Sequence, residues 1–313
     1  MISEAEAESA CFHETIIKFQ QGIISPSTFK EYALLSIFFG LLSALSWGAG
    51  DFTGGLAARK VGAYRSVFYA EVIGIIFLFT VLAFIHEPFP DTRAQLFALL
   101  AGMFGTLGLM LLYHSMTLGL MSIAAPVSAL LAAVLPVLVG IFTEGIPNFL
   151  TLIGFGFALL AVWLVSQSEG GVKDILSHLS DLKLPLLAGI GFGFYFVLMH
   201  QATRDGGAVW HMVFSRMGGM MLIVSYLLFT RSSWKIDVSA LPIISVNGIL
   251  DLGGNFFFIL AGQAGRLDVA SVLSSLFPGA TVLLAWIFLK ERLNRSQWFG
   301  VACALIAIVL MTV

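Results

Sequence analysis

Apolar residues fall into ten long blocks along this chain, and short polar punctuation separates most of them. The blocks cover about residues 33–54, 66–85, 95–117, 120–142, 148–167, 184–203, 208–229, 241–262, 268–289 and 297–313. Each is close to the roughly 20 residues that a helix needs to cross ~30 Å of hydrocarbon at ~1.5 Å rise per residue. The separators are charged or helix-breaking: Arg59-Lys60, His86-Glu87-Pro88, Glu144-Gly145, Glu169 to Lys183, Arg204-Asp205, Arg231 to Asp237 and Lys290 to Arg295. Only Gly119 divides the third block from the fourth. Lipid cannot hydrogen-bond an exposed backbone, so only helices and closed barrels span it. Blocks this long and continuous predict membrane-spanning α-helices, ten of them.

The polar residues inside the blocks are the candidates for chemistry. Asp251 sits near the middle of the run from Leu241 to Gly262, with Asn247 and Asn255 four residues to either side. Positions i, i+4 and i+8 share one helix face, so the stripe carries a carboxylate near the bilayer midplane. Such a group is costly there and marks a pathway or coupling site by default. Hydrogen-bonded helix packing is the plainer alternative. Glu71 in the second block and Arg216 in the seventh stand at nearly equivalent places, so they are expected to pair or to face one cavity. His114 lies deep in the third block, and an imidazole titrates near neutral pH. Trp47 and Tyr195 are expected cavity-lining aromatics. His200 and His211 stand at block ends and read as interfacial. Asp51, beside Gly48, Gly50, Gly54 and Gly55, reads as a helix terminus at the water interface, with a gate residue as the functional alternative. Gly40, Ala44 and Gly48 form a small-residue face suited to close helix packing.

The chain also repeats. Gly119 to Leu130 (GLMSIAAPVSAL) resembles Gly265 to Leu276 (GRLDVASVLSSL) at an offset of 146. The same offset carries Val67-Phe68 onto Val213-Phe214 and Gly154 onto Gly300, and brings Glu144 within one residue of Glu291. Each half then holds five spans. Five is odd, so the halves enter the membrane from opposite sides, which is the inverted-repeat plan of many secondary transporters. The expected fold is an all-α membrane protein with ten transmembrane helices in two inverted five-helix repeats. The expected domains are residues 32–167 and 184–313, joined by a linker at 168–183. Residues 1–31 carry Glu4, Glu6, Glu8 and Glu14 without a basic n-region or an apolar core, unlike a secretory signal. They read as an extramembranous tail, with a short helix around Glu14 to Gln21.

Two stretches carry a family resemblance. Leu41 to Lys60 (LLSALSWGAGDFTGGLAARK), with Trp47-Gly48, Phe52 and a basic pair, resembles the first span of EamA-type members of the drug/metabolite transporter superfamily. Leu276 to Gly300 (LFPGATVLLAWIFLKERLNRSQWFG) is closer, with Pro278, Glu291, Gln297 and Gly300 at the family's positions. The first half departs from that pattern: Leu131 stands where the proline is expected, and Pro126 and Pro136 flank it. The resemblance covers about Ala33 to Val313 and implies ten helices, inverted repeats and a central solute cavity. It also implies cytoplasmic termini. The Lys and Arg distribution argues the other way, because most basic residues fall on the side opposite the termini.

Composition agrees with a lipid-dissolved chain. Of 313 residues, 58% are hydrophobic and 11% charged, against roughly 25% charged in soluble domains, and the mean hydropathy is +0.96. The net charge of −2 gives no reason to expect a nucleic-acid partner. Cys11 and Cys303 make no disulfide framework, and no Cys/His spacing suits a metal. No cofactor is expected. Motifs for hydrolases, zinc peptidases and ATP-binding loops are absent, so an enzyme is not expected. The partners expected are a small-molecule solute, protons and the lipid bilayer, with the plasma (inner) membrane as location. The function expected is secondary-active transport, by export, of a small organic metabolite such as an amino acid, with Asp251 as the coupling residue. The alternatives are a multidrug or cation exporter and a non-transporting membrane sensor or scaffold.

Overall fold

The computed structural model describes residues 26–118, 121–165, 182–289 and 294–312. The tail helix expected around Glu14 to Gln21, most of the linker, Gly119 and Glu291 lie outside the described residues. The described chain is helical: α1 (Pro26–Val61), α2 (Ala63–Leu82), α3 (Thr92–Thr117), α4 (Met121–Glu144), α5 (Phe149–Val165), α6 (Lys183–Ala202), α7 (Val209–Phe229), a 3₁₀ turn (Val238–Ala240), α8 (Leu241–Ala264), α9 (Leu267–Ser274), α10 (Phe277–Leu289) and α11 (Arg295–Thr312). Seven segments, 31–61, 63–82, 92–117, 127–144, 183–202, 209–229 and 238–264, are each long and apolar enough to cross a membrane. Large apolar side chains such as Ile76, Leu96, Phe142 and Phe229 point outward and are exposed. A ring of such side chains suits a lipid surrounding.

Two boundaries differ from the sequence expectation. The block 268–289 is not one helix. Ser275 and Leu276 separate α9 from α10, and i→i+3 bonds carry the chain through the break: Leu276 N–H to Leu273 O at 3.1 Å and Gly279 N–H to Leu276 O at 2.9 Å. Pro278 explains the break, since proline has no N–H to donate and its ring clashes with the carbonyl four residues earlier. Pro126 and Pro136, in contrast, lie within the uninterrupted α4. The first helix also runs past its expected end at residue 54. It continues through Leu56, Ala57 and Ala58 and places Arg59 and Lys60 in its last turn. Gly62, at φ +89°, then turns the chain into α2; that left-handed conformation favours glycine.

Short polar side chains fix the helix starts. Asp91 accepts the Ala94 N–H at 2.7 Å at the head of α3. Asn148 accepts the Thr151 N–H at 2.8 Å ahead of α5. Asn294 accepts the Gln297 N–H at 2.8 Å, while Gln297 Oε1 accepts the Asn294 N–H at 2.9 Å. That reciprocal pair is a capping box, which gives Gln297 a structural purpose. Asn148 and Asn294 are separated by the repeat offset of 146.

The helices pack through small residues. On α1, Ser36, Ser43 and Ser46 donate to the carbonyls of Ala261, Gly254 and Leu250 on antiparallel α8, at 2.8, 2.9 and 2.7 Å. The Gly40 and Gly48 face of α1 meets Leu273 on α9 and Ala280 on α10. Across the halves in the reverse sense, Gly189 and Gly193 of α6 meet Leu131 and Leu135 of α4, and Gly105 and Gly108 of α3 meet Tyr195 and Phe192 of α6. The α5/α11 pair is antiparallel and self-similar. Gly154 faces Ala307 and Met311, and Gly300 faces Ala161 and Val165. The offset of 146 carries each of those contacts onto the other.

Candidate functional site

A cavity lies among the helices, with about 580 Å³ of empty space that includes its opening to solvent. Its walls come from both halves of the chain: Trp47 and Asp51 of α1, Glu71 of α2, Thr106 of α3, Tyr195 and Phe196 of α6, Arg216 of α7, Asp251 and Asn255 of α8, and Phe277 of α10. Five aromatic residues and two glycines make up nearly half of the lining residues, and the charged groups are on α1, α2, α7 and α8.

Those groups form one connected chain. Arg216 donates to Asp251 and also lies 3.2 Å from Glu71 Oε2. The Thr106 hydroxyl donates to Glu71 Oε1 at 2.8 Å. The Asn255 amide donates to the Asp251 backbone carbonyl at 2.6 Å and to its carboxylate at 3.1 Å, and Tyr195 OH donates to Asn255 Oδ1. The sequence thus connects through Tyr195, Asn255, Asp251, Arg216, Glu71 and Thr106. Glu71 and Arg216 are almost wholly buried. Removing one partner of a buried ion pair strands the other charge, so such pairs hold their helices in one arrangement.

Helix geometry accounts for the placements. Asn247, four residues before Asp251, turns to a smaller adjoining recess, where Tyr113 OH donates to its Oδ1 at 3.2 Å. Trp47 stacks on Phe196 at a centroid distance of 5.4 Å and meets Tyr195 edge-on at 6.4 Å. His114 does not reach the cavity. Its ring stacks on Tyr64 at 5.6 Å. Seven residues from Thr106 brings the α3 face back round to Tyr113, and His114 stands about 100° further on. Close backbone approach brings α7 against α3: a Cβ on Gly102 would overlap the Ser215 carbonyl, and one on Gly218 would overlap the Leu99 carbonyl.

Asp51 corrects the sequence expectation. It is no helix terminus: it lies inside α1, 7% exposed, in the cavity wall. The apolar residues after Gly55 were the available signal, since they carry the helix on to Arg59. Thr106 and Tyr113 were also missed as site residues. Both look like ordinary span residues until their partners Glu71 and Asn247 are placed beside them.

A second polar cluster closes one end of the bundle. Arg266 donates to Asp268 at 2.8 Å and to the carbonyls of Glu144 and Gly145 at 3.0 and 2.6 Å. Glu144 accepts the Leu267 N–H at 3.2 Å, and His200 Nε2 lies 3.6 Å from its carboxylate. Gln263 bridges to the carbonyls of Thr203 and Gly207 at 3.2 and 2.8 Å. His200 therefore belongs to this buried cluster and not to an open interface.

Long apolar helices around a cavity that carries a few ionisable groups define a multi-pass membrane protein. Residues 34–167 and 181–313 each match the EamA-like transporter family, and the chain belongs to that family. It is 21% identical over 288 residues to a putative sugar uptake protein of Enterococcus faecalis, covering 88% of this chain and 96% of the relative. It is 23% identical over 303 residues to the uncharacterized transporter YetK of Bacillus subtilis, covering 92% of this chain and 88% of the relative. A protein of known crystal structure superposes with a TM-score of 0.70 at 15% identity, over 90% of this chain and 98% of that one. That last likeness concerns the fold alone.

Proposed function

We propose that the chain is a secondary-active carrier of a small polar organic metabolite, an amino acid among the solutes it fits, working by alternating access with Asp251 as coupling residue. One observation carries this reading: a buried Glu71–Arg216–Asp251 ion-pair chain lines a cavity whose walls come from both halves. Arg216 can release Asp251 to take a solute carboxylate, and a freed carboxylate is then available to a proton. Exchange of partners on one guanidinium links solute binding to proton binding. Ten spans in two inverted five-helix repeats complete the proposal. It is supported by the two family matches, by the mirrored α5/α11 contacts and by the antiparallel α1/α8 and α3/α6 pairs. In this scheme α9 and α10 together make the ninth span. The plasma membrane is the proposed location and export the proposed direction.

The relative named a putative sugar uptake protein favours a second reading, a neutral sugar held between Trp47 and the polar chain. Uptake of labelled amino acids and sugars into proteoliposomes, with and without a pH gradient, separates the two. Amino-acid movement driven by the gradient is expected, and the sign of the accelerating gradient fixes the direction. Asp251→Asn should fold normally and lose gradient-driven movement, because the amide still donates and accepts but cannot titrate. An unchanged rate and pH profile in Asp251→Asn would remove the coupling role. Movement of sugars alone would give the second reading its place.

A further inference from the structure

Arg216 is committed to Glu71 and Asp251, and it is the only Arg or Lys among the cavity-lining residues described. Asp51 is left over. It is 7% exposed, it lines the cavity, and among the described residues its side chain makes no hydrogen bond or ion pair. The charged group acting on it is Asp251, of the same sign. A carboxylate taken out of water without a partner is strongly unfavourable, and a like charge across the cavity makes it more so. The position is nevertheless built with care. Gly54 lets the Tyr113 hydroxyl and Asn247 Oδ1 of α8 approach α1 closely. One turn before Asp51, Trp47 lines the same cavity, as do Phe192 and Phe277.

An unpaired buried carboxylate beside aromatic rings is a complementary surface for an organic cation. The carboxylate accepts charge-assisted hydrogen bonds from N–H groups, and ring faces attract a cation lying over them. No three His, Cys, Asp or Glu side chains among the described residues converge as a metal cage. We propose that Asp51 is the subsite for a cationic nitrogen of the solute, so that the transported class is ammonium compounds: amino acids, or amines that lack a carboxylate. This rests on the carrier reading above. An ammonium on Asp51 leaves Arg216 free to take a carboxylate where the solute has one, and neutralises the repulsion between Asp51 and Asp251.

The test uses the purified full chain and a matched pair of probes. Leucinamide carries an ammonium, and 4-methylpentanamide is the same molecule without it. Isothermal titration should show leucinamide binding and 4-methylpentanamide not. Asp51→Asn should weaken leucinamide at least tenfold, and Asp51→Glu should retain part of the affinity. Monodisperse elution of each variant establishes that it folds. Leucinamide affinity within twofold of wild type in folded Asp51→Asn overturns the proposal. So does failure of leucinamide, ethanolamine and tetramethylammonium all to bind the wild type. If those probes fail and Asp51→Asn changes only the pH dependence of thermal stability, Asp51 holds a proton and the proposal is likewise overturned. The carrier reading fails separately. Glucose moving equally fast through wild-type and Asp51→Asn proteoliposomes keeps the carrier and removes the ammonium subsite. Asp51-dependent leucinamide binding without movement of any solute keeps the subsite and removes the carrier.

Discussion

Arg216→Gln should be the most damaging single substitution in the cavity. Arg216 holds Glu71 at 3.2 Å and also donates to Asp251. Glutamine keeps hydrogen-bonding capacity but no charge, so two carboxylates lose their counter-ion at once. Breaking a buried pair from one side costs about 3–5 kcal/mol, and here both acids are stranded, which argues for the upper end. Glu71→Gln is milder. Its amide still accepts from Thr106, now at 2.8 Å from Glu71, and Arg216 keeps Asp251, so a cost of about 1–2 kcal/mol follows from one lost charge-assisted bond. The double variant Glu71→Gln/Arg216→Gln strands only Asp251 and should be more stable than Arg216→Gln alone. Contacting residues in one network give coupling energies of about 0.5–3 kcal/mol, and a value above ~1.5 kcal/mol is expected here. Equilibrium unfolding in mixed micelles by SDS titration measures all four proteins. Additive single costs, or Arg216→Gln no worse than Glu71→Gln, would refute a shared guanidinium.

Gly218→Ala places a methyl group into the Leu99 carbonyl. It should cost about 1–3 kcal/mol by overpacking and lower transport by shifting Arg216, read from thermal stability and uptake together. Arg266→Gln should loosen the end of the bundle closed by Glu144 and Asp268. The buried Thr203, replaced by cysteine, should then react at least tenfold faster with a membrane-impermeant maleimide, and an unchanged rate would deny that closure to Arg266. Asn294→Ala removes the side-chain half of the cap pairing, the Oδ1 that accepts the Gln297 N–H, leaves the Asn294 backbone N–H on Gln297 Oε1, and should cost about 1 kcal/mol. Thermal unfolding reads that loss, and Asn294→Ser or Asn294→Asp should restore it.

Much of the helical layout was legible because lipid imposes it: a span must be long, apolar and internally hydrogen-bonded. Local signals were less legible: the first helix was expected to end at residue 54 and continues to Val61, and the caps at Asn148 and Asn294 were not anticipated. What could not be read was which faces meet. Asp251 and Asn255 share a face by periodicity, and they do connect. Asn247 shares that face too, yet pairs with Tyr113, because α3 and not α7 stands opposite that turn. His114 looked comparable to Glu71 as a buried ionisable group, but one residue of helix rotation puts it against Tyr64. Asp51 was read from its glycine neighbours as an exit, although those glycines serve helix contact.

The repeat itself hides the chemistry. At the offset of 146, Glu71 corresponds to Met217, Arg216 to Ala70, Asp51 to Val197, Asp251 to Gly105 and Asn255 to Leu109. Every charged cavity residue thus corresponds to an uncharged one in the other half, so similarity between halves traces helix packing and passes over the site. The same holds at the ends. Arg266 and Asp268, which close one end with Glu144, correspond to Leu120 and Ser122. In the proposed carrier, an Arg266–Asp268 pair whose positions carry no charge at the repeat offset in the sequence would make the two access states unequal in stability. A solute shifts such an equilibrium only by binding the two states differently. The charged groups on α1, α2, α7 and α8 are where this chain can make that difference, because there the partners of Arg216 and Asp51 can change.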